Sequence, residues 1–328
     1  MPLISVVIPA CNAEQTIQQS IESVLRQTFA DFELLVINDG SQDSTLDVVN
    51  HITDSRIKIF SYPNAGANVS RNRGLYQASG EYVSFLDADD LWTPKKLETQ
   101  LLALQKNPDA AVAYSWTNSI DEKGQFLRRG SYITVNGDVY AKLLLVDFVE
   151  SGSNPLIRRE ALCTIGGFDE SLPAAQDWDM WLRLAARYQF VAVPLPQILY
   201  RVCLNSMSAN VLRQEVASLQ VIERSFTQAP ESLQHLKSYS LANRYKCLTF
   251  MALQRTPERQ QGLAAAKFLG LAIKNDPSLL RARVLLKVLL KIIIIVLLPP
   301  QQAQMLLTQS QRLTNIDALL GYLQVQPF

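Results

Sequence analysis

Gly-Glu-Tyr-Val-Ser-Phe-Leu-Asp-Ala-Asp-Asp-Leu-Trp, residues 80–92, is the stretch on which the reading of the chain turns. Residues 82–86 have the apolar character of a buried strand, and Asp87, Asp89 and Asp90 follow with no spacer. Unpaired charges at a core edge are costly, so this cluster needs a neutralising partner. Basic side chains or a cation can serve. Carboxylates without nearby His or Cys suit a divalent ion that takes oxygen ligands, Mg²⁺ or Mn²⁺, with open positions that phosphate oxygens can fill. The alternative is an acidic turn that leads into a capped helix, with Thr93 at the N-cap and Pro94 in the first turn. The two readings are compatible.

Working outward, residues 4–8 are a β-branched apolar run that reads as a strand ended by Pro9. A helix starting at Asn12 carries Ile17, Ile21, Val24 and Leu25 on one face. Residues 32–37 form a second strand that runs into Asn38, Asp39, Gly40 and Ser41; residues 44–52 form a helix, 57–60 a third strand and 69–78 a short helix. Alternating strand and helix predict an α/β fold, a mostly parallel twisted sheet with helices on both faces. In open sheets of this kind ligands bind beyond the carboxyl ends of the strands. Residues 9–11, 39–41 and 87–90 sit at such ends and are expected to converge on one crevice. No Gly-x-Gly-x-x-Gly follows the first strand, and no Walker lysine motif is present.

Bulk properties narrow the class. With 328 residues, 48% of them apolar, and a net charge of +1, the chain is neither disordered nor a nucleic-acid binder by charge. Cys11, Cys163, Cys203 and Cys247 are far apart, without metal-ligand spacing, which points to a reducing compartment. The N-terminus has no basic region before its first strand, so no signal peptide is expected and a cytoplasmic location follows.

Val-Val-Ile-Pro at 6–9, Val-Ile-Asn-Asp-Gly-Ser at 36–41, Ser-Arg-Asn-Arg-Gly at 70–74 and Phe-Leu-Asp-Ala-Asp-Asp at 85–90 resemble the family 2 glycosyltransferases of the GT-A fold. So do Gly-Gly-Phe-Asp-Glu at 166–170 and Gln-Asp-Trp-Asp-Met-Trp-Leu-Arg-Leu at 176–184. The resemblance covers roughly residues 1–210, with the motifs in order. It implies transfer of a sugar from a nucleotide diphosphate donor of the UDP-sugar kind, with inversion at the anomeric carbon. By the same resemblance Asp39 contacts the nucleotide base, Arg71 lies beside base and diphosphate, and Pro9 and Cys11 belong to the donor side. Asp87 and Asp89 match the Asp-x-Asp motif, with Asp89 the principal ligand of Mn²⁺ or Mg²⁺ and Asp87 a second. Asp90 contributes there or caps the helix after Thr93. Asp39 also reads as a turn former before Gly40, and Arg73 as a solvated helix residue.

The second half supplies the acceptor side. Residues 111–116 and 156–158 read as strands, 121–140 as a loop or hairpin, and 190–193 as the last core strand. Asp177 matches the family's general base, near the start of a helix with Met180, Trp181 and Leu184 inward. The family usually has Glu-Asp at that point; here it is Gln176-Asp177, which removes a like charge and lowers the base's proton affinity. Asp179 reads as a carboxylate at a helix N-terminus. Many members carry a His where Cys203 stands; a thiol suits Mg²⁺ poorly, so Cys203 reads either as a metal or diphosphate contact or as a small apolar residue. His51 and His235 lie outside every motif.

A division into 1–214, with a nucleotide-sugar half to 110 and an acceptor half from 111, and a helical region 215–328 is expected. Residues 284–298 are fifteen nearly all apolar residues, about 22 Å as a helix and short of the ~30 Å hydrocarbon core. With Arg281, Arg283, Lys287 and Lys291 beside them they suit an interfacial helix on an anionic membrane, or a buried helix of the appendage. The expected partners are a nucleotide-sugar donor and a glycan or lipid-linked acceptor. The competing class is a non-catalytic nucleotide-sugar or glycan binder that scaffolds a membrane assembly.

Overall fold

The computed structural model describes residues 1–202, 210–310 and 314–326. The chain forms two compact units. One contains Met1–Tyr140 and the chain from Asp147 through the last strand; the other contains Ala141–Val146 and the helices that follow.

In the first unit, among the described residues, nine strands form one sheet. β1 (Ile4–Ala10), β2 (Phe32–Asp39), β3 (Ile57–Tyr62) and β4 (Tyr82–Phe85) pair in parallel in the order β3-β2-β1-β4. The order continues through β8 (Leu156–Arg158), β6 (Ala110–Ile120), β9 (Gln189–Arg201) and the short β5 (Leu91–Trp92), with β7 (Phe126–Arg129) forming a hairpin on β6. Here the pairing is mixed: β8 runs antiparallel to β4 and β6, β9 parallel to β6, and β5 antiparallel to β9. Helices α1 (Ile17–Leu25), α2 (Thr45–Asn50), α3 (Ala67–Gln77) and α4 (Lys96–Lys106) flank this sheet, followed in sequence by α5 (Tyr140–Leu145) of the other unit, then α6 (Arg159–Thr164) and α7 (Gln176–Ala185).

The chain winds from β1 out to β3 and then returns to the opposite side of β1 with β4. That reversal opens a crevice beyond the carboxyl ends of β1 and β4. The apolar runs explain the layer: every residue of β2 is buried, and Ile17, Ile21 and Val24 of α1 join Ile4, Val6, Ile8 and Leu34 in one core cluster. Gly74 lets α3 approach, because a Cβ there would lie 2.2 Å from Val7 Cγ1.

Several boundaries differ from the sequence reading for identifiable reasons. β1 continues through Pro9 to Ala10. The carbonyls of Leu3 and Val7 accept from Tyr82 and Leu86, so odd-numbered residues face β4. Pairing with β4 ends at Phe85, so Pro9 withholds a donor where no strand needs one. α1 begins at Ile17 because Asn12, at φ 51°, is a loop residue whose Oδ1 accepts from Gln42 N at 2.8 Å. Thr93 does not cap α4; its N–H donates to Gln197 O, and its carbonyl accepts from Lys96 N. β9 reaches Arg201 because two register shifts against β6 absorb Pro194 and Pro196.

The second unit is helical: α5, α8 (Val211–Gln228), α9 (Lys237–Leu253), α10 (Arg259–Asn275), α11 (Val284–Leu297) and α12 (Pro300–Gln309). Leu248, Phe268, Ala272, Val288, Ile292 and Ile295 are among its buried core. Gly262 of α10 admits α11, since a Cβ there would lie 2.7 Å from Val296 Cγ2. Lys246 is fully buried and donates to Asp276 Oδ2 at 2.7 Å and to Tyr322 O at 2.8 Å. Of residues 284–298, Val284–Leu297 form a helix with one buried face, through Val284, Leu285, Val288, Ile292, Ile294 and Ile295.

Candidate active site

The three aspartates after β4 have different environments. Asp90 is fully buried; its Oδ2 accepts from Ser153 Oγ at 2.6 Å and its Oδ1 from Arg201 N at 2.9 Å. Arg201, also buried, donates from Nε to Asp89 O at 2.7 Å. Asp90 is therefore an anchor between the acidic turn and the end of β9; it caps no helix. Burial, then the charges of Asp89 and Asp87, push its carboxyl well above the usual range. Burial likewise pushes the Asp89 carboxyl up to about 6, reinforced by the charge of Asp87 and partly offset by Arg201 and Arg71. Asp87, about a quarter exposed, donates from its backbone N–H to Ser153 Oγ at 3.0 Å.

Arg71, on α3, is buried beneath this turn. Its Nη2 donates to Asp87 Oδ1 at 2.5 Å, and its guanidinium lies 5.3 Å from the Phe168 ring centre. Phe168 is held by the turn between α6 and α7: Asn72 of α3 accepts from Phe168 N and donates to Phe168 O, at 2.8 and 2.9 Å. Gly167, at φ 72°, lies so close to Asn72 that a Cβ would meet its Oδ1 at 2.6 Å. The Ser-Arg-Asn-Arg-Gly and Gly-Gly-Phe-Asp-Glu segments are thus one packed unit that fixes the guanidinium.

Arg71 Nη1 also lies 4.0 Å from Asp177 Oδ1, at the second residue of α7. Neither of these two buried atoms has a hydrogen-bond partner. Gly152 presses against the same carboxylate: a Cβ there would lie 2.8 Å from Asp177 Oδ1. Burial raises the Asp177 pKa, Arg71 opposes this, and Asp87 adds to it. Asp179 turns away and pairs with Arg183, Nε to Oδ2 at 2.7 Å, one turn along the helix.

A second group gathers at the ends of β1 and β2. Asp39 is buried, and its two oxygens accept from Ala65 N at 2.9 Å and Gly66 N at 2.8 Å. Its basic partner is Arg73, at 3.2 Å, whose guanidinium also lies 4.6 Å from the Tyr62 ring centre. That corrects one expectation: Arg73 is not a solvated helix residue but the ion-pair partner of Asp39, as Arg71 is of Asp87. Asn64 joins the group, donating to Asp39 O at 2.9 Å and to Cys11 Sγ at 3.2 Å, and Cys11 is exposed. Pro9 is half-buried in β1, one residue before its end. Cys203 lies outside the described residues.

Among the described residues no three acidic, His or Cys side chains are preassembled around one point. The donor set still fits a hard divalent ion. Burial first, and then the charge of Asp87, raises Asp89, and one or two carboxylates completed by water and phosphate oxygens match the coordination of Mg²⁺.

Residues 5–252, more than half of the chain, match the family described as Glycosyltransferase like family 2. The chain belongs to this family. A relative named as an uncharacterized glycosyltransferase of Rickettsia felis is 34% identical over 190 residues, 56% of this chain and 31% of the relative. An Escherichia coli protein named as a UDP-Glc:alpha-D-GlcNAc-diphosphoundecaprenol beta-1,3-glucosyltransferase is 48% identical over 106 residues, 32% of this chain and 42% of its own length. The chain spans less than half the length of the first curated relatives it matches. The structure of a Pyrobaculum calidifontis mannosyltransferase in complex with GDP-Man and Mn²⁺ superposes with a TM-score of 0.61 at 18% identity, over 97% of this chain and 85% of that one. At that identity the likeness shows the fold, which is the GT-A fold expected from the motifs.

Sequence reasoning gave no role to Ser151, Gly152, Ser153 or Arg201. The signal for the loop was its Ser-Gly-Ser-Asn composition, which permits close approach of backbone to side chains. Nothing in the sequence singled out Arg201, because its partners are the acidic turn more than a hundred residues away.

Proposed function

We propose that the chain is an inverting glycosyltransferase that moves a sugar from a nucleotide diphosphate donor, a UDP-sugar, to a hydroxyl of a glycan or lipid-linked acceptor. The observation that carries this reading is Asp177 Oδ1, buried and without a hydrogen-bond partner, 4.0 Å from the guanidinium that also holds Asp87. A carboxylate held in that way suits a general base. Asp177 takes the proton of the acceptor hydroxyl as its oxygen attacks the anomeric carbon from the face opposite the diphosphate. The new glycosidic bond forms as the bond to the diphosphate oxygen breaks, and the nucleoside diphosphate leaves.

Asp39 accepts from an imide N–H of the base through Oδ2, which has a second lone pair beyond the bond from Gly66 N; Oδ1 already accepts from Ala65 N and Arg73. Pro9 and Cys11 border the same donor group, and Arg71 holds Asp87 in place beside the phosphates. Asp89, with Asp87, would hold Mn²⁺ or Mg²⁺, which would supply neutralisation of charge on the leaving diphosphate. The choice of a UDP-sugar and a lipid-linked acceptor draws support from the Escherichia coli relative's name, and Mn²⁺ from the mannosyltransferase complex. Residues 1–214 are the proposed catalytic domain and 215–328 a helical region working at the cytoplasmic face of a membrane.

The test is release of nucleoside diphosphate from a panel of nucleotide sugars, with and without glycan and lipid-linked acceptors. Acceptor-dependent release from one donor is expected. Donor binding with no release under any acceptor assigns the chain to the binding class instead.

A further inference from the structure

α11 is amphipathic in an unusual sense, because its outward face is apolar as well. Leu286 is 75% exposed, Ile293 52% and Leu297 74%, and Leu289 and Leu290 are exposed beside them. At about 100° per residue these five positions fall within one stripe roughly 100° wide, opposite the buried Val288, Ile292 and Ile295. Contiguous apolar stripes of this kind on a folded surface mark an interaction site.

Charge identifies the occupant. Between Asp276 and Asp317 the sequence holds five basic residues, Arg281, Arg283, Lys287, Lys291 and Arg312, and no acidic one. Arg281, Arg283 and Lys287 are exposed at the start of the helix and along it, whereas Lys291 is half-buried with Asp317 near enough to act on its charge. An exposed leucine-isoleucine stripe beside the exposed Arg281 and Arg283 is complementary to an anionic lipid surface, apolar below and negative at the headgroups. Among the described residues no helix is long and apolar enough to cross a membrane, so the contact is a parallel one. We infer that the outward stripe of α11 is a membrane-docking surface for an anionic bilayer, with Arg281 and Arg283 as its electrostatic rim.

The readout is vesicle binding, separate from any sugar transfer, so it stands or falls apart from the catalytic reading. The intact chain is sedimented with phosphatidylcholine vesicles with and without phosphatidylglycerol. Binding to the anionic vesicles, reduced by high salt, is expected. Leu286→Ser combined with Ile293→Ser changes exposed positions and leaves the buried face intact; it should lower the partition coefficient about tenfold or more. Arg281→Gln combined with Arg283→Gln should weaken binding to anionic vesicles while circular dichroism stays as in the parent. The inference is overturned if the parent ignores anionic vesicles, or if both pairs bind as the parent does. It is equally overturned if the parent is a dimer without vesicle affinity that the Leu286→Ser, Ile293→Ser pair converts to a monomer, which would assign the stripe to a second copy of the chain.

Discussion

Arg71 Nη2 bonds Asp87 Oδ1 at 2.5 Å, and Nη1 of the same guanidinium stands 4.0 Å from Asp177 Oδ1. One buried cation thus biases both a carboxylate of the acidic turn after β4 and the carboxylate at the start of α7. Burial and Asp87 raise the Asp177 pKa, and Arg71 is the larger of the two influences that lower it, the backbone of Gly152 being the other. Arg71→Met should therefore raise it further, so that the basic form is lost at a higher pH. The acidic limb of the kcat–pH profile should move upward, and a limb in its original place would dissociate Asp177 from Arg71.

Gly152 places backbone where a side chain would strike the Asp177 carboxylate. In Gly152→Ala the new Cβ would meet Asp177 Oδ1 at 2.8 Å, so the carboxylate must shift. A displacement near 1 Å can cost about 10²-fold in rate. Turnover should fall by roughly that factor while donor affinity and melting temperature stay near the parent, a split measured by steady-state kinetics with donor titration. Equal losses in turnover and donor affinity would place Gly152 elsewhere in the machinery.

The parallel half of the sheet was legible because period and punctuation agree there: the second and fourth apolar runs end in Asp-Gly and Asp-x-Asp, the first and third run into proline, and a helix lies between each pair. The mixed half was less so, since β9 carries Pro194 and Pro196 through register shifts that no local pattern announces. Asp39, Asp87, Asp89 and Asp177 were legible as motif residues. Their partners were not. Whether Arg71 or Arg73 meets Asp39 depends on which face of α3 packs on β1, and Gly74 fixes that face against Val7. Asp90 looked like its acidic neighbours, yet Ser153 and Arg201, both distant in sequence, make it a buried anchor.

Asp89 offers a metal test. Chelator should abolish turnover and Mn²⁺ should restore it. Asp89→Ala should weaken metal-dependent donor binding, followed by calorimetry with and without Mn²⁺. Full turnover in excess chelator would leave the acidic turn with a structural role alone.

In the helical unit, Lys246 and Asp276 form a buried pair at 2.7 Å. Removing one partner of such a pair costs about 3–5 kcal/mol, so Lys246→Met should lower the denaturation midpoint strongly. Burial acts to raise the Asp276 pKa, but the bonds from Lys246 and Ser278 outweigh it and the net shift is downward. A lowered carboxyl pKa contributes stability above the ordinary carboxylate range and loses it as pH falls through the folded value. Acid should therefore destabilise the parent more than Lys246→Met, as measured by urea midpoints at neutral and acidic pH; parallel losses would remove the pair from the stability of the unit.

The central claim is that Asp177 deprotonates the acceptor, and the direct measurement is nucleoside diphosphate release by Asp177→Asn beside a donor-binding titration. Loss of a general base lowers turnover by about 10²–10⁴-fold. The predicted result is a loss of that size with donor affinity close to the parent. Turnover equal to the parent's would contradict the account.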